Sequence, residues 1–247
     1  MKILVAIANV PDTTAKISFT DNNTKFNSAG VQFIINPYDE WYALVRALEL
    51  KEAGLVEKVS VIHVGLADAD ATIRKALALG ADDSFRIDAE PTDAHFVAQQ
   101  LAQFIKANPY DLIMLGKETI SYNGGVTAGI LAGILDYPFI SNASKLDLNG
   151  NTIIAHQDIE GGYQVVECSL PAVVSANKGM AEQRIPNMKG IMAARTKPLN
   201  VIPAYPVNVS LKYEQFELAP GRSACKFIDP NNVEELVHLL HTEAKVI

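Results

Sequence analysis

The residues best suited to chemistry lie where an apolar run ends in Gly116-Lys117-Glu118-Thr119-Ile120-Ser121-Tyr122-Asn123-Gly124-Gly125-Val126-Thr127-Ala128-Gly129. Gly124, Gly125 and Gly129 allow close backbone approach, and Ser121, Asn123 and Thr127 offer hydroxyl or amide contacts, so this is where a phosphate would sit. The segment is not GxxxxGK[ST], and no GxGxxG follows the first apolar run. Ordinary NTPase and NAD-binding readings therefore lose their main support. The same residues equally suit a glycine-bearing turn with a close helix contact.

Three further segments stand where ligands bind an open α/β sheet, beyond the carboxyl ends of strands. They are Ala8 to Thr14, Asn36-Pro37-Tyr38-Asp39, and Val64 to Ala67. In the second, Asn36 suits a helix cap, Pro37 the first helical position, and Asp39 a carboxylate reaching back to the cap. Other chemistry finds little support. His63, His95, His156, His238 and His241 form no HExxH, and His63 falls inside an expected buried strand, so core or surface roles fit them better than a metal site. Asp82-Asp83 and Asp68-Ala69-Asp70 read as caps and turns. No Ser stands in GxSxG, and neither Cys168 nor Cys225 has a neighbouring His or basic cluster, so the chain shows no nucleophile.

The elements that must position these segments alternate. Apolar, β-branched runs at residues 3–8, 31–35, 59–64, 111–115 and 172–175 read as strands buried on both faces of a parallel sheet. Between them, Trp41, Leu44, Val45 and Leu48 repeat with helical period, as do Ile73, Ala76, Leu77 and Gly80, and Phe96, Val97, Leu101 and Ile105. The expectation is an α/β fold: an open, mostly parallel sheet with helices on both faces, Rossmann-like or of the adenine-nucleotide α-hydrolase type. Alternation broken by Asn149-Gly150 and Gly161-Gly162 predicts two antiparallel ribbons over 143–169. From Asn177 to Val207, Pro186, Pro198, Pro203 and Pro206 with Lys178, Arg184, Lys189, Arg195 and Lys197 predict an extended, exposed segment. The amphipathic end, through Val233, Leu236, Val237 and Leu240, predicts a helix whose apolar face needs a cover. The division expected is a nucleotide-binding domain over 1–207 and a C-terminal arm and helix over 208–247 that packs on a partner.

With 247 residues, 49% hydrophobic and 20% charged, the chain has material for one sizeable core. A net charge of -7 makes nucleic acid a poor partner. Two distant cysteines without CxxC indicate neither a disulfide framework nor a cysteine zinc site and suit a reducing cytoplasm. No signal-peptide pattern opens the chain, and no apolar stretch reaches the ~20 residues a bilayer span needs.

Taken in order, VPDTTAKI, NPYDEWYALVRALELKEAG, ATIRKALALGADDSFRI, YDLIMLGKETI, LPAVVSANKGMAEQRIPNMKGIMAARTKPL and the terminal helix resemble the β subunits of electron transfer flavoproteins over nearly the whole chain. The resemblance implies a non-enzymatic electron carrier: a heterodimer whose α subunit holds the redox-active FAD, taking electrons from acyl-CoA-type dehydrogenases toward a quinone oxidoreductase. It implies a nucleotide site for AMP, or in the bifurcating branch a second FAD. Ala6 would line the adenine side. Asn36, Pro37, Tyr38, Asp39 and Val64 would surround the nucleotide. Thr119, Ile120, Ser121, Tyr122, Asn123, Gly124 and Gly125 would wrap ribose and phosphate together with Val126, Thr127, Ala128, Gly129 and Ile130. Thr13 and Tyr38 would approach the α-subunit flavin, where an aromatic ring can cover part of an isoalloxazine. Residues 184–198 resemble the loop that grips client dehydrogenases, with Met188 as anchor and Arg184, Ile185, Ile191 and Met192 around it. Where family members carry acids and then Gln-Thr-Gly, this chain has residues 121–129 as quoted, which leaves AMP and FAD both open. Two rival readings are a bifurcating subunit oxidising NADH and an adenine-nucleotide module resembling universal stress proteins.

Overall fold

The computed structural model describes residues 1–209, 211–222 and 224–247. The chain forms two compact units, Met1–Lys16 with Asn27–Glu214, and Ile17–Phe26 with Gln215–Ile247. The strands in chain order are β1 (Lys2–Ala6), β2 (Asn9–Pro11), β3 (Phe19–Thr20), β4 (Lys25–Phe26), β5 (Phe33–Ile35), β6 (Lys58–Val64), β7 (Asp83–Asp88), β8 (Leu112–Gly116), β9 (Phe139–Asn149), β10 (Thr152–Ile159), β11 (Gly162–Ser169), β12 (Ala172–Ala176) and β13 (Leu199–Pro203). The α-helices are α1 (Asp39–Glu52), α2 (Asp70–Leu79), α3 (Ala94–Ala107), α4 (Thr127–Leu135), α5 (Met188–Ala194) and α6 (Val233–Leu239).

Among the described residues, nine strands of the larger unit form one sheet in the order β11-β10-β9-β12-β8-β1-β6-β7-β13. From β9 to β13 every neighbouring pair is parallel. Successive residues of β1 feed opposite faces, as a strand covered on both sides requires. Ile3 and Val5 join Leu44 of α1 and Leu77 of α2, whereas Leu4 and Ala6 join Phe104 of α3 and Leu131 of α4. Helices therefore cover both faces, as the alternating pattern predicts.

Several expectations need correction. The run at 31–35 contributes β5, but β5 pairs antiparallel with β2 in a separate two-stranded ribbon and not with the parallel sheet. The ribbons over 143–169 are two hairpins sharing β10, and they extend the main sheet as its antiparallel edge. The segment 177–207 is not simply extended. It carries α5, and then β13, which pairs in parallel with β7 at the opposite sheet edge. Neither β7 nor β13 is foreshadowed by a continuous apolar run. The β7 strand buries Ser84 and Arg86; Arg86 Nη1 donates to the Gly65 carbonyl at 3.0 Å and to the Asp88 carboxylate, and its Nε is ion-paired with Asp70 at 2.8 Å.

The smaller unit is described by itself. Its β3–β4 hairpin turns through Asp21, Asn22 and Asn23, all left-handed, and Phe19 stacks on Phe216 at 5.4 Å. Asn232 caps α6, accepting from the Glu235 amide at 3.3 Å and donating to the Glu235 carboxylate at 2.8 Å. A π-helical turn over Leu240–Ala244 continues it, and Val233, Leu236 and Val237 are exposed. No helix among the described residues is long and apolar enough to cross a membrane.

At the end of β8 the backbone of Gly116 lies directly against the start of α1. A Cβ at 116 would stand 2.6 Å from Glu40 Cγ, 2.9 Å from Asp39 Cβ and 3.0 Å from the Glu40 amide nitrogen. Gly133, inside α4, has nothing within 4 Å of the same position. We expect Gly116→Ala to cost ~2 kcal/mol by overpacking, lowering Tm by ~4–8 °C. Gly133→Ala should be neutral or slightly stabilising. Thermal denaturation of the two variants checks this contrast.

Candidate functional site

The chain runs from β1 outward through β6 to β7, then returns to place β8 on the other side of β1. This reversal opens a crevice beyond the carboxyl ends of β1 and β8, the place where open α/β sheets bind ligands. The crevice gathers three of the segments singled out by sequence: Ala8 onward, residues 36–39, and residues 116–129.

Asn36 does not cap α1, contrary to expectation. The N-cap position is Tyr38, without a side-chain bond, and the Asn36 carbonyl accepts from the Trp41 amide at 3.3 Å. The fully buried Asn36 side chain reaches across the crevice. Its Nδ2 donates to the Glu118 carbonyl at 2.8 Å, and its Oδ1 accepts from the Ile120 amide at 3.0 Å. Asp39 likewise does not reach back to the cap; its Oδ2 accepts from the Glu118 amide at 3.3 Å. Pro37 is half-buried between these two residues. Two side chains from one helix start thus fix the entry to the glycine loop.

Glu40, which the sequence reading passed over, completes the arrangement. Its carboxyl accepts from the Ala8 amide and ties the loop after β1 to α1. Burial, reinforced by Asp39, pushes its pKa up to about 8. Asp39 is also raised, chiefly by burial. One signal was available: Glu40 precedes Leu44 and Leu48 by four and eight residues, which puts it on the buried face of α1.

The loop itself follows. Thr119 and Ile120 are half-buried, and Ser121, Tyr122, Asn123, Gly124, Gly125 and Val126 are exposed. Asn123 and Gly125 are left-handed at φ 50° and 63°. Nothing lies within 4 Å of a Cβ built at Gly124. Helix α4 then starts at Thr127 with no side chain capping it, so its first amides have no side-chain acceptor. Ala6, Val64, Leu115 and Ala128 share one apolar cluster beneath it. Gly129 packs 3.4 Å from the Phe139 ring at the Cβ position, and Ile130 is half-buried. The set fits an adenosine phosphate: an apolar floor, hydroxyls at Thr119, Ser121 and Thr127, and an uncapped helix start for the phosphate.

Two expected residues lie further out. Thr13 is exposed beyond a turn in which Asp12 accepts from Thr14 N–H and O–H at 2.9 and 2.7 Å, and Tyr38 is 52% exposed. His63 is a core histidine, as expected. Its Nδ1 lies 2.8 Å from the Ile7 carbonyl, and burial pushes its pKa down. Its ring occupies the space that a side chain at Gly65 would need, with Nε2 at 2.2 Å from the Cβ position.

Residues 184–197 form a second, separate surface. Arg184 grips Glu52 at the end of α1 with bonds of 2.7 and 2.9 Å. Arg74 of α2 donates to the carbonyls of Ala194 and Lys197, and Lys197 Nζ donates to those of Leu77 and Ala81. Asn187 caps α5 by accepting from the Gly190 amide at 2.8 Å, and a Cβ at Gly190 would stand 2.2 Å from the Ala78 carbonyl. This fixed mount leaves Ile185, Met188 and Met192 89%, 73% and 66% exposed, with Ile191 less so. A groove of about 680 Å³ runs beside them, lined by Trp41, Lys75, Ala78 and Arg195 among others.

Comparison with known proteins follows the same outline. A family model described as "Electron transfer flavoprotein domain" matches residues 24–207. The chain is 35% identical over 261 residues to the electron transfer flavoprotein subunit beta of Bacillus subtilis, covering 100% of both chains. It is 35% identical over 225 residues to that of Syntrophomonas wolfei, covering 91% of this chain and 88% of the relative. It is 34% identical over 216 residues to that of Homo sapiens, covering 85% and 84%.

Because Glu40 holds its proton in the folded state at pH values where an exposed glutamate has lost it, its contribution to stability is full below pH ~4.5 and is lost as pH rises toward 8. Glu40→Gln keeps the acceptor for Ala8 and removes the titration. We expect the fall in unfolding free energy between pH 5 and pH 8.5 to shrink by on the order of 3 kcal/mol. Urea titrations at the two pH values check it.

Proposed function

The chain belongs to the electron transfer flavoprotein family as a β-type subunit, an electron carrier, and from that membership we propose that it pairs with an α subunit that holds the redox-active FAD. In this reading its own crevice binds AMP as a structural nucleotide. The observation that carries the nucleotide assignment is the crevice at the sheet reversal, where Asn36 and Asp39 fix the entry to a glycine loop that leads into an uncapped helix start. Ala6 and Val64 would face the adenine, and the loop hydroxyls and the first amides of α4 would take ribose and phosphate.

Electrons travel on the flavin of the heterodimer, and the residues of this chain bind and orient. Thr13 and Tyr38, both exposed at the mouth of the crevice, would approach the α-subunit flavin. The surface of residues 184–197 would dock acyl-CoA-type dehydrogenases, and the reduced carrier would pass electrons toward a quinone oxidoreductase. A rigid mount favours this docking role, because exposed apolar side chains held in place lose little freedom when a partner covers them. Lys75, Lys189 and Arg195 make no ion pair among the described residues and could steer an acidic partner.

Two experiments test the reading. Native heterodimer is purified with its companion chain, denatured, and the released nucleotides are quantified. One FAD and one AMP per heterodimer are expected. Two FAD and no AMP would reassign the crevice to the bifurcating type, and no flavin would overturn the carrier role. Separately, Met188→Ser should raise the KM for a reduced acyl-CoA dehydrogenase about tenfold, leaving the flavin spectrum and the nucleotide content unchanged. An unaltered KM would remove Met188 from the docking surface.

A further inference from the structure

Beyond β13 the chain turns back toward the glycine loop, and two contacts fix its path. Gln100 of α3 has no exposed surface, and its side-chain amide serves one residue only. Nε2 donates to the Tyr205 carbonyl at 2.8 Å, and Oε1 accepts the Tyr205 amide at 2.8 Å. This two-way pair holds Tyr205 as a strand neighbour would, and Tyr205 and Val207 also pack on the α3–α4 core. Further on, the ring of Tyr213 stacks on Tyr122, with centroids 5.4 Å apart and planes inclined by 23°.

Tyr122 stands in the exposed half of the loop. Within that half, the loop's own support comes from the Asn123 amide, which donates to the Thr119 carbonyl at 2.8 Å, and from the Ser121 hydroxyl, which donates to Thr119 Oγ1 at 3.2 Å. Asn36 and Asp39 fix residues 118–120 from below, but the left-handed Asn123 and Gly125 and the open Gly124 gain nothing from them. Tyr213 supplies the missing hold from outside. Partial burial also pushes the Tyr122 phenol up, with Tyr213 and then Glu90 adding to the rise.

We propose that residues 205–209 and 211–213 act as a strap, anchored at Gln100, and that Tyr213 is a positioning residue whose stack on Tyr122 slows release of nucleotide from the crevice. The inference rests on reading the crevice as an adenine-nucleotide site. The strap holds the loop from the solvent side, so it acts on how fast nucleotide leaves and not on the chemistry of any partner.

The test uses native heterodimer loaded with labelled AMP and chased with unlabelled AMP, or the same chase with FAD if the wild type carries FAD there. Tyr213→Ala should release nucleotide about tenfold faster, and Tyr213→Phe, which keeps the ring, should match the wild type. Tyr213 is 46% exposed and contributes to no buried cluster, so thermal midpoints should be close to one another. Tyr122→Ala, read in the same chase, should reproduce the fast release. Wild-type release rates in both alanine variants would overturn the strap and leave the crevice standing. A wild type that binds neither AMP nor FAD in this chain would overturn both.

Discussion

A carboxamide with no exposed surface must find partners for both its donor and its acceptor, and Asn36 finds them 82 and 84 residues away. That requirement orders the crevice. Leaving either group unpaired would cost about 1–3 kcal/mol, so the loop after β8 is held to the start of α1 by a penalty and not by shape alone. Glu40 extends the same logic to the loop after β1, and Gly116 lets the strand approach closely enough for both bonds to form. Three loops from distant parts of the sequence converge because one helix start carries polar side chains that have nowhere else to be satisfied.

The surface of residues 184–197 obeys a different constraint. A seven-residue helix has little stability of its own. Helix α5 persists because Gly190 lets it lie on the Ala78 carbonyl and because Arg74 and Lys197 tie together carbonyls that would otherwise lack partners. Those two cations are thereby consumed internally, whereas Lys189 and Arg195 are exposed. Sequence shows five basic residues between Asn177 and Val207, and only the fold separates those that build the surface from those that present it.

The parallel strands were legible wherever both faces are apolar, as in β1, β6, β8 and β12. Those that escaped notice follow physical reasons. The β7 strand buries Ser84 and Arg86, whose partners lie on other elements, so its apolar alternation is interrupted. The β13 strand ends in Pro203 at a sheet edge, where a missing amide is tolerated, and so it resembles a loop. Gly190 suggests a helix breaker until the Ala78 carbonyl beneath it is seen. Asn36 carries a helix-start signal that is purely local, and a non-local partner won the competition for its side chain. Glu40 and Gln100 were both readable as polar residues on buried stripes, Glu40 with Leu44 and Leu48, Gln100 with Phe96 and Phe104. A buried polar residue in such a stripe announces that a partner exists, but sequence does not say where.

Helix α1 joins the two surfaces and also keeps them apart. Its 14 residues span about 21 Å. The crevice is fastened to its first turn through Asp39 and Glu40, and the docking segment to its last turn through Arg184 and Glu52. The remaining supports of segment 184–197 come from α2 and the turn after it; α2 meets the loop after β1, where Thr72 donates to Asn9 Oδ1 at 2.7 Å, but none of these supports bonds the glycine loop. Loosening the glycine loop therefore removes contacts at one end of a rigid element and leaves those at the other end intact.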